Sequence, residues 1–275
     1  MPVEVVTRRW PSTALGRSKR VNIVLPDGYA DRGPGHPVLY LLHGYGGGRD
    51  TWLLRTGLVE LVRDSRLIVV LPESGRRWFI NDHAGLRYED YLVQDLVPAV
   101  DAGFNTRADR SSRAVGGFSM GGAAALFLTL RHPSVFGAAV SHAGAFEAPL
   151  RRGDPYAAHR ADPGFVMPTE ASHQRVWGPP GSATRLLYDP YRLIGRPPAG
   201  PRSPLHLDVG TGDYDRVIRM NRRTRDALRS GGWSPEYHER PGGHDMDFVN
   251  SALPAAMAFV ARHLTGANAN GVSFV

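Results

Sequence analysis

Cysteine is absent from this 275-residue chain, which excludes disulfides, thiolate nucleophiles and cysteine-ligated zinc or iron–sulfur sites together. Lysine is nearly absent as well. Lys19 stands against 32 arginines, so the net charge of +7 is an arginine charge. The arginines fall in scattered pairs, such as Arg8–Arg9, Arg76–Arg77, Arg151–Arg152 and Arg222–Arg223. No run of five or more basic residues forms a stripe for a phosphate backbone, and no nucleic-acid partner is expected. No apolar stretch reaches the ~18 residues of a membrane span, and residues 1–5 carry no apolar targeting core. A cytoplasmic protein with no membrane span is the expectation. Internal repeats are lacking too.

Short apolar runs at 21–25, 38–42, 67–71, 114–118, 138–141 and 205–209 read as strands, most of them buried on both faces. Helix-period patterns lie between and after them. Tyr88, Leu92, Leu96, Ala99, Val100 and Gly103 share one face, as do Met246, Val249, Leu253, Met257, Val260 and Leu264. The class is α/β, a mostly parallel sheet with helices on both faces. One stretch breaks the rhythm. Residues 147–204 hold 17 Gly or Pro, including 11 of the 22 prolines, with short helical hints around Ala157 and over 185–194. A connection of that length reads as a cap-like insertion, a lid or binding loop. The chain is expected to be one domain over 1–264, with a flexible tail over 265–275.

The most informative stretch is Gly117-Phe118-Ser119-Met120-Gly121, a Gly-x-Ser-x-Gly between a buried strand and the helix beginning near Ala123. That setting calls for a sharp strand-to-helix turn that exposes a nucleophilic hydroxyl, with glycines where side chains would strike neighbouring backbone. A serine needs a base and a group to orient it, in the chain order Ser, acid, His. Asp213, just past the strand at 205–209, is the expected acid, with Asp215 second and Asp208 mid-strand and directed away. His244, in Pro241-Gly242-Gly243-His244, is the expected base, with His142 in reserve. The oxyanion donors are expected from the N–H of Met120 and that of Tyr45, with Gly46 second, in His43-Gly44-Tyr45-Gly46-Gly47-Gly48. Nucleotide loops fail: Arg49 replaces the third glycine of a dinucleotide fingerprint, and Gly122 replaces the lysine of a P-loop. No paired-ligand motif offers a metal site, so neither metal nor cofactor is expected.

With these residues in place, the chain resembles the esterase D/antigen-85-type α/β-hydrolases from about Ala14 to Leu264. That group includes feruloyl and acetylxylan esterases, S-formylglutathione hydrolases, enterochelin esterases and mycolyltransferases. The likeness rests on Leu15-Gly16-Arg17 through Pro26-Asp27-Gly28-Tyr29, His43-Gly44, Trp52, Trp78 and Tyr88-Glu89-Asp90-Tyr91. It continues through Asp95-Leu96, Gly117 to Gly122, Arg131-His132-Pro133 and Gly242-Gly243-His244. The resemblance implies nucleophile Ser119, acid Asp213, base His244 and oxyanion donors Tyr45 and Met120. Members often carry serine where this chain has Ala143, and the formylglutathione branch commonly has cysteines that this chain lacks. The expected activity is hydrolysis of small-molecule carboxylic esters through an acyl-enzyme, with acyl transfer or a non-catalytic binding role as alternatives. Trp52, Trp78 and Phe79 are candidates for an acyl pocket. Arg151, Arg152, Arg160 and Arg175 are expected on a solvated surface, with attraction of an anionic substrate the alternative.

Overall fold

The computed structural model describes residues 3–162, 165–196 and 200–266. Its centre is an eight-stranded sheet in the order β1-β2-β4-β3-β5-β6-β7-β8. Strands β1 (Glu4–Ser12) and β2 (Arg17–Leu25) form an antiparallel hairpin, and β2 runs antiparallel to β4 (Ile68–Pro72). From β4 onward the sheet is parallel: β3 (Val38–Leu42), β5 (Arg113–Phe118), β6 (Ala138–His142), β7 (Leu205–Gly210) and β8 (Glu236–Arg240). The chain steps from β3 outward to β4, then returns to place β5 on the other side of β3. That reversal opens a crevice at the carboxyl ends of β3 and β5, where open α/β sheets bind ligands.

The helices vary in length from three residues to eighteen. They are α1 (Thr51–Arg55), α2 (Leu58–Arg63), α3 (Tyr88–Asp90), α4 (Val97–Gly103), α5 (Met120–Arg131), α6 (Glu170–Trp177), α7 (Ala183–Leu187), α8 (Pro190–Ile194), α9 (Asp215–Ser230) and α10 (Met246–His263). A π-helical stretch, Tyr91–Leu96, joins α3 to α4 just before Pro98, whose missing N–H prevents an ordinary helical ladder there. The expected face from Tyr88 to Gly103 therefore persists with a changed pitch. Helix α5 buries ten of its twelve residues. Its Gly and Ala positions let it sit close on β5 and β6, while Leu126, Phe127 and Leu128 each bury a side chain worth about 1.5–3 kcal/mol. One core lies on the α3–α5 face and a second on the α1, α2 and α10 face. No helix among the described residues is long and apolar enough to cross a membrane.

Three expectations are corrected. The edge strands β1 and β8 went unseen because their burial is partial and their residues charged, as edge strands often are. The 147–204 stretch carries a further helix, α6, started by Thr169 Oγ1 accepting from the Ser172 N–H (3.2 Å). Its arginines are not uniformly solvated. Arg151 and Arg160 both pair with Asp154 (3.0 and 2.8 Å) and donate to the Pro168 carbonyl (2.8 Å each), while Arg152 and Arg175 are exposed. Of the expected tail, Thr265 is tied to the body through its N–H to the Ser111 carbonyl (2.9 Å); 267–275 lie outside the described residues.

Candidate active site

Ser119 occupies the single residue between β5 and α5, at φ 53° and ψ −108°. A side-chain-bearing residue there costs about 1–3 kcal/mol unless its surroundings hold it. The exit of β6 does so. Ser119 N–H donates to the His142 carbonyl (2.8 Å), and the Ser119 carbonyl accepts from the N–H groups of Ala123 and Ala145 (both 3.0 Å). The flanking glycines are steric necessities. A Cβ on Gly117 would lie 2.5 Å from the Gly121 carbonyl carbon, and one on Gly121 would lie 2.8 Å from the His43 carbonyl oxygen. The turn can thus press against the β3 loop only without side chains.

The loops after β7 and β8 are laced together, Thr211 N–H donating to the Arg240 carbonyl (2.8 Å) and Gly212 N–H to that of Gly242 (2.9 Å). This lacing brings Asp213 to His244. His244 Nδ1–H donates to Asp213 Oδ2 (2.8 Å), which leaves Nε2 to accept from the Ser119 hydroxyl (2.9 Å). Asp213 Oδ1 accepts from the Tyr214 N–H (2.6 Å). The His244 ring lies against Phe118 and Tyr214, with centroids 4.9 and 5.8 Å away. Asp215 instead begins α9 and pairs with Arg219 (3.3 Å).

Neither the Tyr45 nor the Met120 N–H donates to a carbonyl, whereas the Gly46 N–H is consumed by the Gly75 carbonyl (3.0 Å). Between the two β3-loop alternatives, Tyr45 therefore holds the free donor. His43 braces this loop from inside. Its Nδ1–H donates to the Gly44 carbonyl (2.7 Å), and Nε2 accepts from the Ser74 N–H (2.9 Å). Burial pushes its pKa down to about 4, so the ring stays neutral, as an accepting Nε2 requires.

His142, the reserve base, is fully buried and belongs to a different pair. Its Nδ1–H donates to both oxygens of Asp208 (2.8 and 3.0 Å), and Asp208 also accepts from His206 Nε2 (3.2 Å). Burial alone would raise the Asp208 carboxyl, but the two histidines hold it far below the usual carboxylate range. This pair does not touch Ser119 Oγ.

Two cavities open on Ser119 and His244. One, of about 30 Å³, is walled by Trp78, Met120 and Met220 and by residues of the 147–204 stretch, among them Tyr156 and His173. The second is walled by Phe118, Phe165, Val166 and Tyr214. Tyr45 borders both. Trp78 is thus a cavity residue as expected of it, but Trp52 and Phe79 are not. Trp52 packs in the core toward His142 (6.2 Å between rings), and Phe79 packs on His43 (5.1 Å) and Tyr88. Sequence reasoning missed Tyr156, His173 and Arg216, whose approach to Ser119 depends on tertiary folding. Only Tyr214, next to the expected acid, had a local signal.

One group among the described residues, His206, Glu236 and His238, brings three ligand atoms within 4.8 Å of one another. Arg262 already donates to both Glu236 oxygens (3.0 and 2.9 Å), and none of the three lines a cavity at Ser119.

A parallel-centred sheet with a serine turn after β5, an aspartate after β7 and a histidine after β8 has the α/β-hydrolase fold. FphF, a fluorophosphonate-binding serine hydrolase of Staphylococcus aureus, shares that fold with a TM-score of 0.80 at 21% identity, over 94% of this chain and 99% of its own. The family described as "Putative esterase" matches residues 12–260, and the chain belongs to it. An esterase of Mycobacterium tuberculosis H37Rv is 31% identical over 260 residues, 86% of this chain and 54% of its own. The diacylglycerol acyltransferase/mycolyltransferase Ag85B of Mycobacterium leprae is 29% identical over 213 residues, 71% of this chain and 59% of its own. The chain spans about half the length of these curated relatives.

Proposed function

We propose that the protein is a cofactor-independent serine esterase acting on small-molecule carboxylic esters. The observation that carries this reading is the hydrogen-bonded line Asp213–His244–Ser119, with contacts of 2.8 and 2.9 Å, ending on a serine in a strained turn. Ser119 Oγ attacks the ester carbonyl as His244 Nε2 takes its proton, and Asp213 keeps the imidazole in the required tautomer. The N–H groups of Tyr45 and Met120 receive the oxyanion. His244 then protonates the departing alcohol and activates a water against the acyl-enzyme. Ser119→Ala should abolish turnover of a p-nitrophenyl ester and labelling by a fluorophosphonate; turnover at the parent rate would refute the reading. A second reading, acyl transfer to an alcohol, draws on the likeness to a mycobacterial acyltransferase. Product analysis with competing acceptors separates the two, since hydrolysis products alone argue against transfer.

A further inference from the structure

The cavity walled partly by the 147–204 stretch is apolar near Ser119 but contains Arg151, Tyr156, His173 and Arg216 as well. Arg151 is fully engaged: its guanidinium donates to the carbonyls of Gly153 and Pro168 and to Asp154. Arg216 differs. It lies close enough to the Tyr156 hydroxyl for its charge to oppose the rise that burial imposes on that group. Among the described residues no carboxylate lies within ion-pair distance of it. The neighbouring Asp215 pairs with Arg219, and Asp213 is taken by His244.

His173 supplies the second observation. It is 2% exposed, and neither of its ring nitrogens has a hydrogen-bond partner. Burial, followed by the charges of Arg151 and Arg185, pushes its pKa down to about 3. It therefore lines the cavity as a neutral ring whose polar contact is at most a weak one to the Ala148 backbone, an expensive arrangement unless something polar arrives. The charge balance of this region points the same way. Arg151 and Arg160 share one carboxylate, Asp154. Arg185 is buried on the carbonyls of Gly178, Pro149 and Arg151 with no carboxylate among the described residues. With Arg216, four guanidinium groups are set against one aspartate.

We propose that this cavity is the acyl pocket and selects acyl groups ending in a carboxylate, as in the hemi-ester of a short dicarboxylic acid. Arg216 pairs with the distal carboxylate, and Tyr156 and His173 donate hydrogen bonds to it. The inference rests on the serine-esterase reading, and the chemistry at the carbonyl is unchanged. The acyl C–O bond breaks, the alcohol leaves with the proton from His244, and water releases the dicarboxylate.

The test compares monomethyl adipate with methyl hexanoate, the same acyl length with and without the distal charge, by pH-stat titration. Wild-type kcat/KM should favour the hemi-ester about tenfold or more, the scale of a charge-assisted hydrogen bond gained in the pocket. Arg216→Met should collapse that ratio, chiefly through the KM for the hemi-ester, and Arg216→Lys should restore part of it. A wild-type ratio below one, which needs no variant, overturns the assignment; so does an unchanged ratio in Arg216→Met. Turnover of neither ester, with no fluorophosphonate label on Ser119, overturns the esterase reading itself and the pocket assignment with it.

Discussion

Two histidine–aspartate pairs lie near the serine turn, and replacing each aspartate by asparagine should separate catalysis from stability. In Asp213→Asn the Tyr214 N–H still requires an acceptor at the Oδ1 position, where it donates at 2.6 Å. The amide NH2 must then face His244 Nδ1, which held the aspartate at 2.8 Å. A donor there forces the proton onto Nε2, and Nε2 can no longer accept from Ser119. The comparable tautomer error in other serine hydrolases lowers kcat by ~10⁴, equivalent to about 5.5 kcal/mol of barrier. Thermal stability should barely move, because one neutral amide replaces a carboxylate that keeps both its neighbours. In Asp208→Asn the outcome reverses. This carboxylate carries two buried histidines, His142 and His206. Breaking a buried pair costs about 3–5 kcal/mol, or roughly 6–20 °C of Tm in a chain of this size. Per folded molecule, ester turnover should stay within a few-fold of the parent. The assay is p-nitrophenyl ester turnover normalised to active protein, beside a thermal melt. A fall of 10³ or more in Asp208→Asn with an unchanged melt, or full turnover in Asp213→Asn, would refute the assignment of the two pairs.

Glu89 predicts an acid-sensitive clasp between the 147–204 stretch and the body. Its buried carboxylate accepts from Arg131, His132 and the Tyr188 hydroxyl, at 2.8, 2.8 and 2.6 Å. Burial would raise its pKa, but the bonds from His132 and Arg131 dominate and hold it at about 2. Because the folded value lies below the unfolded one, the stabilisation is complete above pH ~4.5 and lost as pH falls toward 2, by up to about 3 kcal/mol. Urea unfolding between pH 6 and 3 should show that slope in the parent and a shallower one in Glu89→Gln; equal slopes would count against the clasp. Gly121→Ala should lose turnover and stability together, since its Cβ would meet the Leu42 and His43 carbonyls, and overpacking against backbone costs about 1–3 kcal/mol or more. Soluble, fully active Gly121→Ala protein would show that the turn has room that the geometry denies. Trp78→Ala should change acyl-length preference across an ester panel. Trp52→Ala should lower Tm, by about 3–5 kcal/mol of lost packing, without changing that preference. The reverse assignment of effects would return Trp52 to the pocket.

What could be read from the chain in advance follows the distance over which each signal acts. Ser119 and Asp213 sit where a buried strand ends and His244 where the edge strand β8 ends, each beside glycines whose lack of a side chain is demanded locally. Period and turn chemistry were enough to find them. The preference for Tyr45 over Gly46 gains support from one tertiary fact, the Gly46 N–H spent on Gly75. The pair His142–Asp208 shows the limit of local reasoning. Both residues stand on neighbouring strands of the sheet, with histidine before aspartate, the reverse of the catalytic order on this fold. Only the register His142↔Asp208 reveals that they satisfy one another instead of the serine.

The arginines make the same point for selectivity. Arg151, Arg160 and Arg216 are chemically identical, and composition placed the first two in an exposed, proline-rich stretch. Asp154 and a set of backbone carbonyls satisfy Arg151 and Arg160, turning them into internal staples. Arg216 is the second residue of α9, beside the acid loop, where no carboxylate among the described residues answers it. A guanidinium paid for by its own fold contributes stability, whereas one left unanswered in a cavity beside a nucleophile is available to a substrate. That difference resides in the partners, so it emerges only once the chain has folded.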